Sequence, residues 1–171
     1  MQFVRCTPQH HAAAILDILN EAIAHSTALY EYQARTPQSM RAWFAEKDAG
    51  RFPVIGAELA GVLVGFATYG SFRARAAYKY TVEHSVYVHP DHRGRGIGTA
   101  FMHQLLAAAR AQQYHVLVGG IDIANHPSIA MHERLGFTYA GTIRQAAYKF
   151  GRWLDLAFYQ LILDTPRIPT D

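Results

Sequence analysis

The chain has 171 residues, half of them hydrophobic, and a formal net charge of +3. This length suits a single domain, 1–171, and the scattered arginines lack the basic stripe of nucleic-acid-binding proteins, so no nucleic-acid partner is expected. A lone cysteine excludes an internal disulfide, and there is neither a charged leader nor an apolar stretch of membrane-spanning length. We therefore expect a cytoplasmic protein with no membrane partner.

The first quarter of the chain predicts one strand and two helices. The strand covers 2–6, and the first helix begins after Thr7, with Pro8 at its first position. A second helix begins at Thr36-Pro37 and stops at Gly50. In both helices the hydrophobic residues recur at helical spacing, which predicts one buried face for each.

The remaining elements alternate between strands and helices. The predicted strands are 53–59, 62–69, 80–88, 116–123, 137–145 and 154–163, and the predicted helices are 98–113 and 127–135. The first two strands flank a short Ala60-Gly61 turn and form a hairpin, and the tail 164–171 is expected to be loose. This order predicts an α+β (mixed α/β) fold, with a mixed sheet and helices on both faces.

The most informative segment is the basic, glycine-rich turn between strand 80–88 and the next helix. Such a turn presents free backbone N–H groups, at the positive end of a helix, to phosphates. Its spacing matches neither the dinucleotide fingerprint nor a P-loop, because a required glycine and a lysine are missing. Arg93, Gly96 and Gly98 instead form the pattern R-x-x-G-x-G. The turn therefore predicts a cofactor that carries a pyrophosphate.

This pattern resembles the acetyl-CoA pyrophosphate loop of the GNAT superfamily of N-acetyltransferases. The segment 121–137 resembles that family's strand, asparagine, short helix and Leu-Gly-Phe turn. Three further runs, 80–88, 131–133 and 149–155, are similar to the phosphinothricin and methionine sulfoximine/sulfone acetyltransferases. The resemblance covers nearly the whole chain. It implies a mostly antiparallel sheet in which strands 80–88 and 116–123 run parallel and splay apart, with acetyl-CoA bound in the cleft.

The resemblance also implies the residues that bind the cofactor. The strand edge that binds the pantetheine arm is formed by Val86, Tyr87 and Val88. The loop that binds the pyrophosphate contains Arg93, Gly94, Arg95, Gly96, Ile97, Gly98 and Thr99. Asn125 hydrogen-bonds the pantetheine part. For Arg93 a role in shaping the loop is the stronger expectation. Asn125 could instead cap the short helix, and both roles could hold together.

Two residues are candidates for catalysis. The resemblance gives Glu83 the role of general base, which matters because freeing an amine of pKa about 10.4 from its proton at pH 7 costs about 4.6 kcal/mol. The alternative is a solvent-facing strand residue. His132 occupies the position where many GNAT enzymes carry a tyrosine, and a histidine there could donate to the leaving sulfur. The alternative is a helix histidine that packs in the protein and has no catalytic role.

Substrate binding is expected in the loop before the strand of Glu83. Arg73, Ala74 and Arg75 lie where similar enzymes bind an amino-acid carboxylate, and arginine offers two parallel hydrogen bonds to such a group. The alternative is a solvated surface pair. Tyr30 could line the substrate pocket, and the alternative is an aromatic residue that only packs against its neighbours. The histidines lack the spacing of a zinc site, so no metal is expected.

The resemblance therefore implies a transferase that moves acetyl from acetyl-CoA to the amine of a small amino acid analogue. Phosphinothricin, methionine sulfoximine and methionine sulfone lead the candidates. Direct attack is expected, with no covalent enzyme intermediate, and related enzymes imply a homodimer. One alternative is acetylation of a protein or peptide; another is a non-catalytic sensor that binds acyl-CoA.

Overall fold

Seven strands form one sheet in the computed structural model, which describes residues 1–171. The strands are β1 (Gln2–Arg5), β2 (Val54–Leu59), β3 (Val62–Ser71), β4 (Thr81–Val88), β5 (Val116–Asp122), β6 (Thr138–Lys149) and β7 (Arg152–Ile162). They lie side by side in the order β1-β2-β3-β4-β5-β7-β6. The helices are α1 (Pro8–His25), α2 (Pro37–Ala49), α3 (Ile97–Ala111) and α4 (His126–Arg134). None of the helices is long and apolar enough to cross a membrane.

Strands β4 and β5 form the single parallel pair of this sheet, and they pair over a short length. Their register joins Thr81 to Val116, Val82 to Leu117 and Glu83 to Val118, and it stops there. Beyond this point β4 continues to pair with β3, and β5 with β7. The two strands therefore separate into a V, which confirms the predicted splayed pair and the mostly antiparallel mixed sheet.

The two faces of the sheet carry separate cores. On one face α1 and α2 bury Ile15, Leu19, Met40 and Phe44 against Phe66 of β3. On the opposite face α3 buries Phe101, Met102 and Leu105 against Tyr69 of β3 and Leu117 of β5. The sheet holds its shape because both sides are covered by apolar side chains. The prediction of helices on both faces is confirmed.

Two helix ends are formed differently from the predicted N-cap at Thr7 and the predicted glycine stop at Gly50. The Thr7 side chain makes no cap hydrogen bond, and the Thr7 N–H instead donates to His11 Nδ1 at 3.0 Å. Helix α2 does end before Gly50, but this glycine has an ordinary φ of −80°, and Arg51 takes the left-handed conformation with φ 54°. Gly50 is required for space, since a Cβ there would lie 2.1 Å from the Phe52 ring.

The last hairpin is longer than predicted. Strands β6 and β7 continue to a two-residue turn, Phe150-Gly151, in which both φ angles are positive. The predicted strands stopped at 145 and resumed at 154 because the register shifts between Ile143 and Ala147, which breaks the period-two pattern.

The tail 164–171 has no regular secondary structure, but hydrogen bonds attach it to the sheet. The backbone N–H of Thr170 donates to the Tyr80 hydroxyl at 3.0 Å. The His115 Nδ1–H donates to the Thr165 carbonyl at 2.7 Å. These bonds hold the tail over the N-terminal ends of β4 and β5.

Candidate active site

Glu83 and His84 are consecutive residues of β4 at the apex of the V. Glu83 is the last β4 residue paired with β5, and His84 is the first residue beyond that pairing. Because side chains alternate along a strand, the two point to opposite faces of the sheet. His84 packs against Phe137 and His132 on the α3 face. Glu83 therefore lies on the α1–α2 face.

Two consecutive glycines of β5 make room for these side chains. A Cβ at Gly119 would lie 2.9 Å from His84 Nε2 and 3.1 Å from His132 Nε2. A Cβ at Gly120 would lie 3.0 Å from Glu83 Oε1 on the other face. Neither of these glycines, nor His84, is among the site residues predicted from the sequence. Adjacent glycines inside an apolar strand indicate that other side chains approach its backbone closely, and this pattern in the sequence points to positions 119 and 120.

Glu83 occupies a partly buried, largely apolar position. The same space above Gly120 is bordered by Leu156 and Phe158 of β7. Burial raises the pKa of Glu83 above 4.5, and the positive charge of Arg73 opposes that rise. A carboxylate that is poorly solvated, and free of a direct ion pair, is suited to accepting a proton.

His132 lies opposite His84 and forms a buried pair with it. The Nε2 atoms are 3.1 Å apart, and the rings stack with centroids separated by 5.0 Å. The Nδ1–H of His132 donates to the Ser128 carbonyl, one turn earlier in α4, at 2.7 Å. Burial lowers the pKa of both imidazoles, that of His84 to about 3, so both are neutral at pH 7.

The predicted phosphate loop leads directly into α3. Gly94 and Gly96 have φ angles of 75° and 77°, and a Cβ at either position would meet no atom within 4 Å. No side chain caps the helix. The backbone N–H groups of Ile97, Gly98 and Thr99 belong to the first turn, where an α-helix leaves its donors without partners. These donors and the positive end of the helix form a suitable anion site.

The two arginines of this loop are engaged in contacts within the protein. Arg93 donates to the Val88 carbonyl at 2.9 Å and to the Glu21 carboxylate of α1 at 2.7 Å. Arg95 donates to the Asp91 carbonyl at 3.0 Å. The contacts of Arg93 join the end of β4 to α1.

The remaining residues expected to bind the cofactor lie on either side of the V. On the edge that faces β5, residues Val86, Tyr87 and Val88 have no strand partner, while their other edge pairs with β3. Such an open edge can accept an extended ligand as an added strand. Asn125 caps α4, with its side-chain oxygen accepting from the Ser128 N–H at 3.2 Å.

The predicted substrate residues fall into two groups. Arg73, Ala74 and Arg75 are exposed and line a cavity of about 210 Å³ beside the start of β4. Of the two arginines, Arg73 is the one whose charge acts on Glu83. Tyr30 lies in the α1–α2 loop, and its hydroxyl is buried without a hydrogen-bond partner.

Lys149, which no sequence motif marks as a site residue, fixes the loop of Tyr30. Its Nζ donates to the carbonyls of Ser26 and Leu29 at 2.8 and 2.7 Å. Lys149 ends β6, so these bonds tie the tip of the last hairpin to the α1–α2 loop. Asp122 and Arg152 are close enough to Tyr30 to affect its pKa, which burial raises. Tyr30 is thereby held near the end of β5, on the side of the V that carries Glu83.

Because His84 is buried in its neutral form, we expect the free energy of unfolding to decrease in acid. The unfolded chain binds a proton on this imidazole near pH 6.5, but the folded protein does so only near pH 3, so stability falls as pH drops below 6.5. At pH 5 the loss is about 2 kcal/mol of unfolding free energy. Between pH 7 and pH 5 we expect the Tm of the wild type to fall more than that of His84→Leu. An equal fall in both proteins would contradict the buried neutral state.

Comparison with known proteins identifies the family. The sequence pattern of the acetyltransferase (GNAT) family matches residues 13–137. The L-methionine sulfoximine/L-methionine sulfone acetyltransferase of Salmonella typhimurium is 40% identical over 166 residues, which cover 97% of each chain. A phosphinothricin acetyltransferase from Sinorhizobium meliloti, solved in complex with acetyl-CoA, is 30% identical with a TM-score of 0.94, and the match covers 99% of this chain and 92% of that one. The structure of a ribosomal-protein-alanine N-acetyltransferase from Brucella melitensis is 37% identical with a TM-score of 0.93, over 95% of this chain and all of that one. The chain belongs to the acetyltransferase (GNAT) family.

Proposed function

We propose that this protein transfers the acetyl group of acetyl-CoA to the amino group of a small amino acid or amino acid analogue. Methionine sulfoximine, methionine sulfone and phosphinothricin are the leading acceptors, because relatives named for them match nearly the whole chain. The observation that carries the proposal is the position of Glu83. Its carboxylate lies against Gly120 at the apex of the V, beside the open edge of β4.

The residues of the cleft fit acetyl-CoA. The uncapped first turn of α3, with Gly94 and Gly96 before it, offers backbone donors to the pyrophosphate. The open edge of β4 at 86–88 offers backbone groups to the amides of the pantetheine arm. When bound, acetyl-CoA supplies an acyl group that is already activated as a thioester.

Direct attack of the amine fits the residues present. Glu83 accepts the proton of the amine, directly or through water, and so produces the nucleophile. The alternative of a covalent acetyl-enzyme lacks a cysteine nucleophile, since the one cysteine, Cys6, is buried beside β2 rather than at the V. Burial raises the pKa of Cys6 to about 12, which keeps its thiol protonated and inert.

A second candidate function has a specific observation in its favour. The relative from Brucella melitensis is named for the acetylation of a ribosomal protein on alanine. A peptide acceptor would need an open groove without a carboxylate-binding cation, whereas Arg73 here lies near Glu83. We therefore rank small amino acids first. A non-catalytic acyl-CoA sensor is disfavoured because it would have no use for Glu83 in a buried position.

The base role of Glu83 predicts opposite effects on activity and stability. Glu83→Gln should lower kcat/KM by about 10²–10⁴-fold near neutral pH, measured as thiol release from acetyl-CoA. The same change should raise the Tm at pH 7, because burial disfavours the ionised carboxylate and glutamine carries no charge. Exposed Glu46 in α2 provides the control, and Glu46→Gln should change neither quantity. A loss of activity below threefold would remove Glu83 from this role.

The arginines of the β3–β4 connection predict acceptor specificity. Arg73→Ala and Arg75→Ala should each raise the KM for the accepted amino acid by about tenfold or more, since a charge-assisted hydrogen bond to the carboxylate is lost. The KM for acetyl-CoA should not change. The measurement uses a panel of amino acids, sulfones, sulfoximines and a peptide with an N-terminal alanine. If the peptide is the preferred acceptor, or if neither variant alters KM, the small-acid assignment is wrong.

We also propose that the protein is a homodimer. Strand β6 is the edge of the sheet. The β6–β7 hairpin exposes several large apolar side chains, namely Tyr139, Ile143, Tyr148, Phe150 and Trp153. Exposed apolar side chains along an edge strand favour burial against a partner. We expect light scattering to give twice the chain mass, and Ile143→Glu to shift the protein towards monomer; a monomeric wild type at micromolar concentration would contradict the proposal.

A further inference from the structure

The contacts of His132 determine which of its ring nitrogens carries hydrogen. The Ser128 carbonyl can only accept, so the Nδ1 atom that lies 2.7 Å from it must donate. Burial lowers the pKa of His132 and keeps the ring neutral, and a neutral imidazole has one N–H. The Nε2 atom of His132 therefore presents a lone pair. In this state His132 cannot donate a hydrogen bond to a departing sulfur.

The contact with His132 also determines the tautomer of His84. Its Nε2 lies 3.1 Å from His132 Nε2, which presents a lone pair, and two facing lone pairs would repel each other. The hydrogen between the rings therefore belongs to His84 Nε2. His84 Nδ1 is then an acceptor, and it is buried without a hydrogen-bond partner. Of the two N–H groups of the pair, that of His132 donates to the Ser128 carbonyl, whereas the Nε2–H of His84 donates to no backbone oxygen.

This N–H lies at the apex of the V. His84 and Gly119 are the first residues beyond the pairing of β4 with β5, and both Nε2 atoms lie against Gly119. His84 directly follows Glu83 and precedes the open edge 86–88, which is proposed to bind the pantetheine arm. An N–H donor is thus held at the apex, on the face of the sheet opposite to the proposed base and two residues before the proposed cofactor edge.

We propose that His84 donates its Nε2–H to the coenzyme A sulfur as the thiolate departs, and that His132 acts as the positioning residue that fixes this tautomer. The inference rests on the proposed function, because it requires acetyl transfer at the apex of the V. His84 is then the residue that contacts the leaving group. The N–H is shared between His132 Nε2 and the sulfur as a three-centre hydrogen bond.

The step is balanced without a further reactant. The lone pair of the amine forms the new N–C bond, the C–S bond breaks, and its electron pair stays on sulfur. Glu83 takes one proton from the ammonium to free this lone pair, releases it to solvent, and takes the second proton as the amide nitrogen forms. The thiolate is stabilised by the hydrogen bond from His84 and takes its proton from solvent after release. Neither histidine gains or loses a proton, which agrees with the buried, neutral state of the pair.

The tautomers can be measured in the free protein by nitrogen NMR with ¹⁵N-labelled histidine at pH 7. We expect His84 to be protonated at Nε2 alone and His132 at Nδ1 alone, with the signals assigned through His84→Gln and His132→Gln. This measurement does not depend on turnover. A proton on Nε2 of His132, or on Nδ1 of His84, would overturn the inference.

Kinetics test the contact with sulfur. His84→Leu should lower kcat by about 10²-fold while the KM and the calorimetric affinity for acetyl-CoA change by less than about twofold. His84→Gln should recover at least about tenfold of that loss, since its amide N–H can donate as the imidazole does. Exposed His103 on α3 is the matched control, and His103→Gln should behave as wild type.

The outcomes separate this inference from the proposed function. If the wild type transfers acetyl but His84→Leu retains full kcat, or His84→Gln is as slow as His84→Leu, the role of His84 is wrong and the proposed function stands. If the wild type acetylates no acceptor in the panel, the proposed function and the sulfur contact both fail. The assigned tautomers are then judged by the NMR spectra alone.

Discussion

The short parallel pairing of β4 with β5 is the constraint on which the rest of the site depends. Three residue pairs hold these strands together, and each strand then follows its antiparallel neighbour instead. The separation leaves a row of backbone donors and acceptors on β4 without partners, inside a sheet whose faces are both covered. Unpaired backbone groups in such a place are costly unless a ligand satisfies them. An extended ligand with its own amides suits this opening.

The apex of the V also separates two kinds of electrostatic environment. Glu83 and His84 are adjacent in sequence, yet the sheet lies between their side chains, and the flanking glycines let each come against β5. Burial keeps the histidine pair neutral and makes the ionised carboxylate less stable. The protein thus loses stability at the two positions that we propose accept a proton and donate a hydrogen bond, which is typical of functional sites.

Local features of the fold were predictable from the sequence, and distant pairings were not. The Ala60-Gly61 turn and the Thr36 cap depend on neighbouring residues, so their chemistry is visible in a short window. The residues proposed for the cofactor came from motifs that are also continuous in sequence. The pairing of His84 with His132 joins residues 48 positions apart, and no periodicity marks it. The contact of Lys149 with the α1–α2 loop spans more than a hundred residues and was equally hidden.

A crystal structure of the complex with acetyl-CoA would test the account most directly. We expect the pantetheine arm to pair with the β4 edge at 86–88 and the pyrophosphate to accept hydrogen bonds from the N–H groups at the start of α3. The thioester should then lie at the apex, with Glu83 on one face of the sheet and the His84 Nε2–H directed at the sulfur. A complex with the thioester outside the V, or with the Glu83 carboxylate remote from it, would contradict the account.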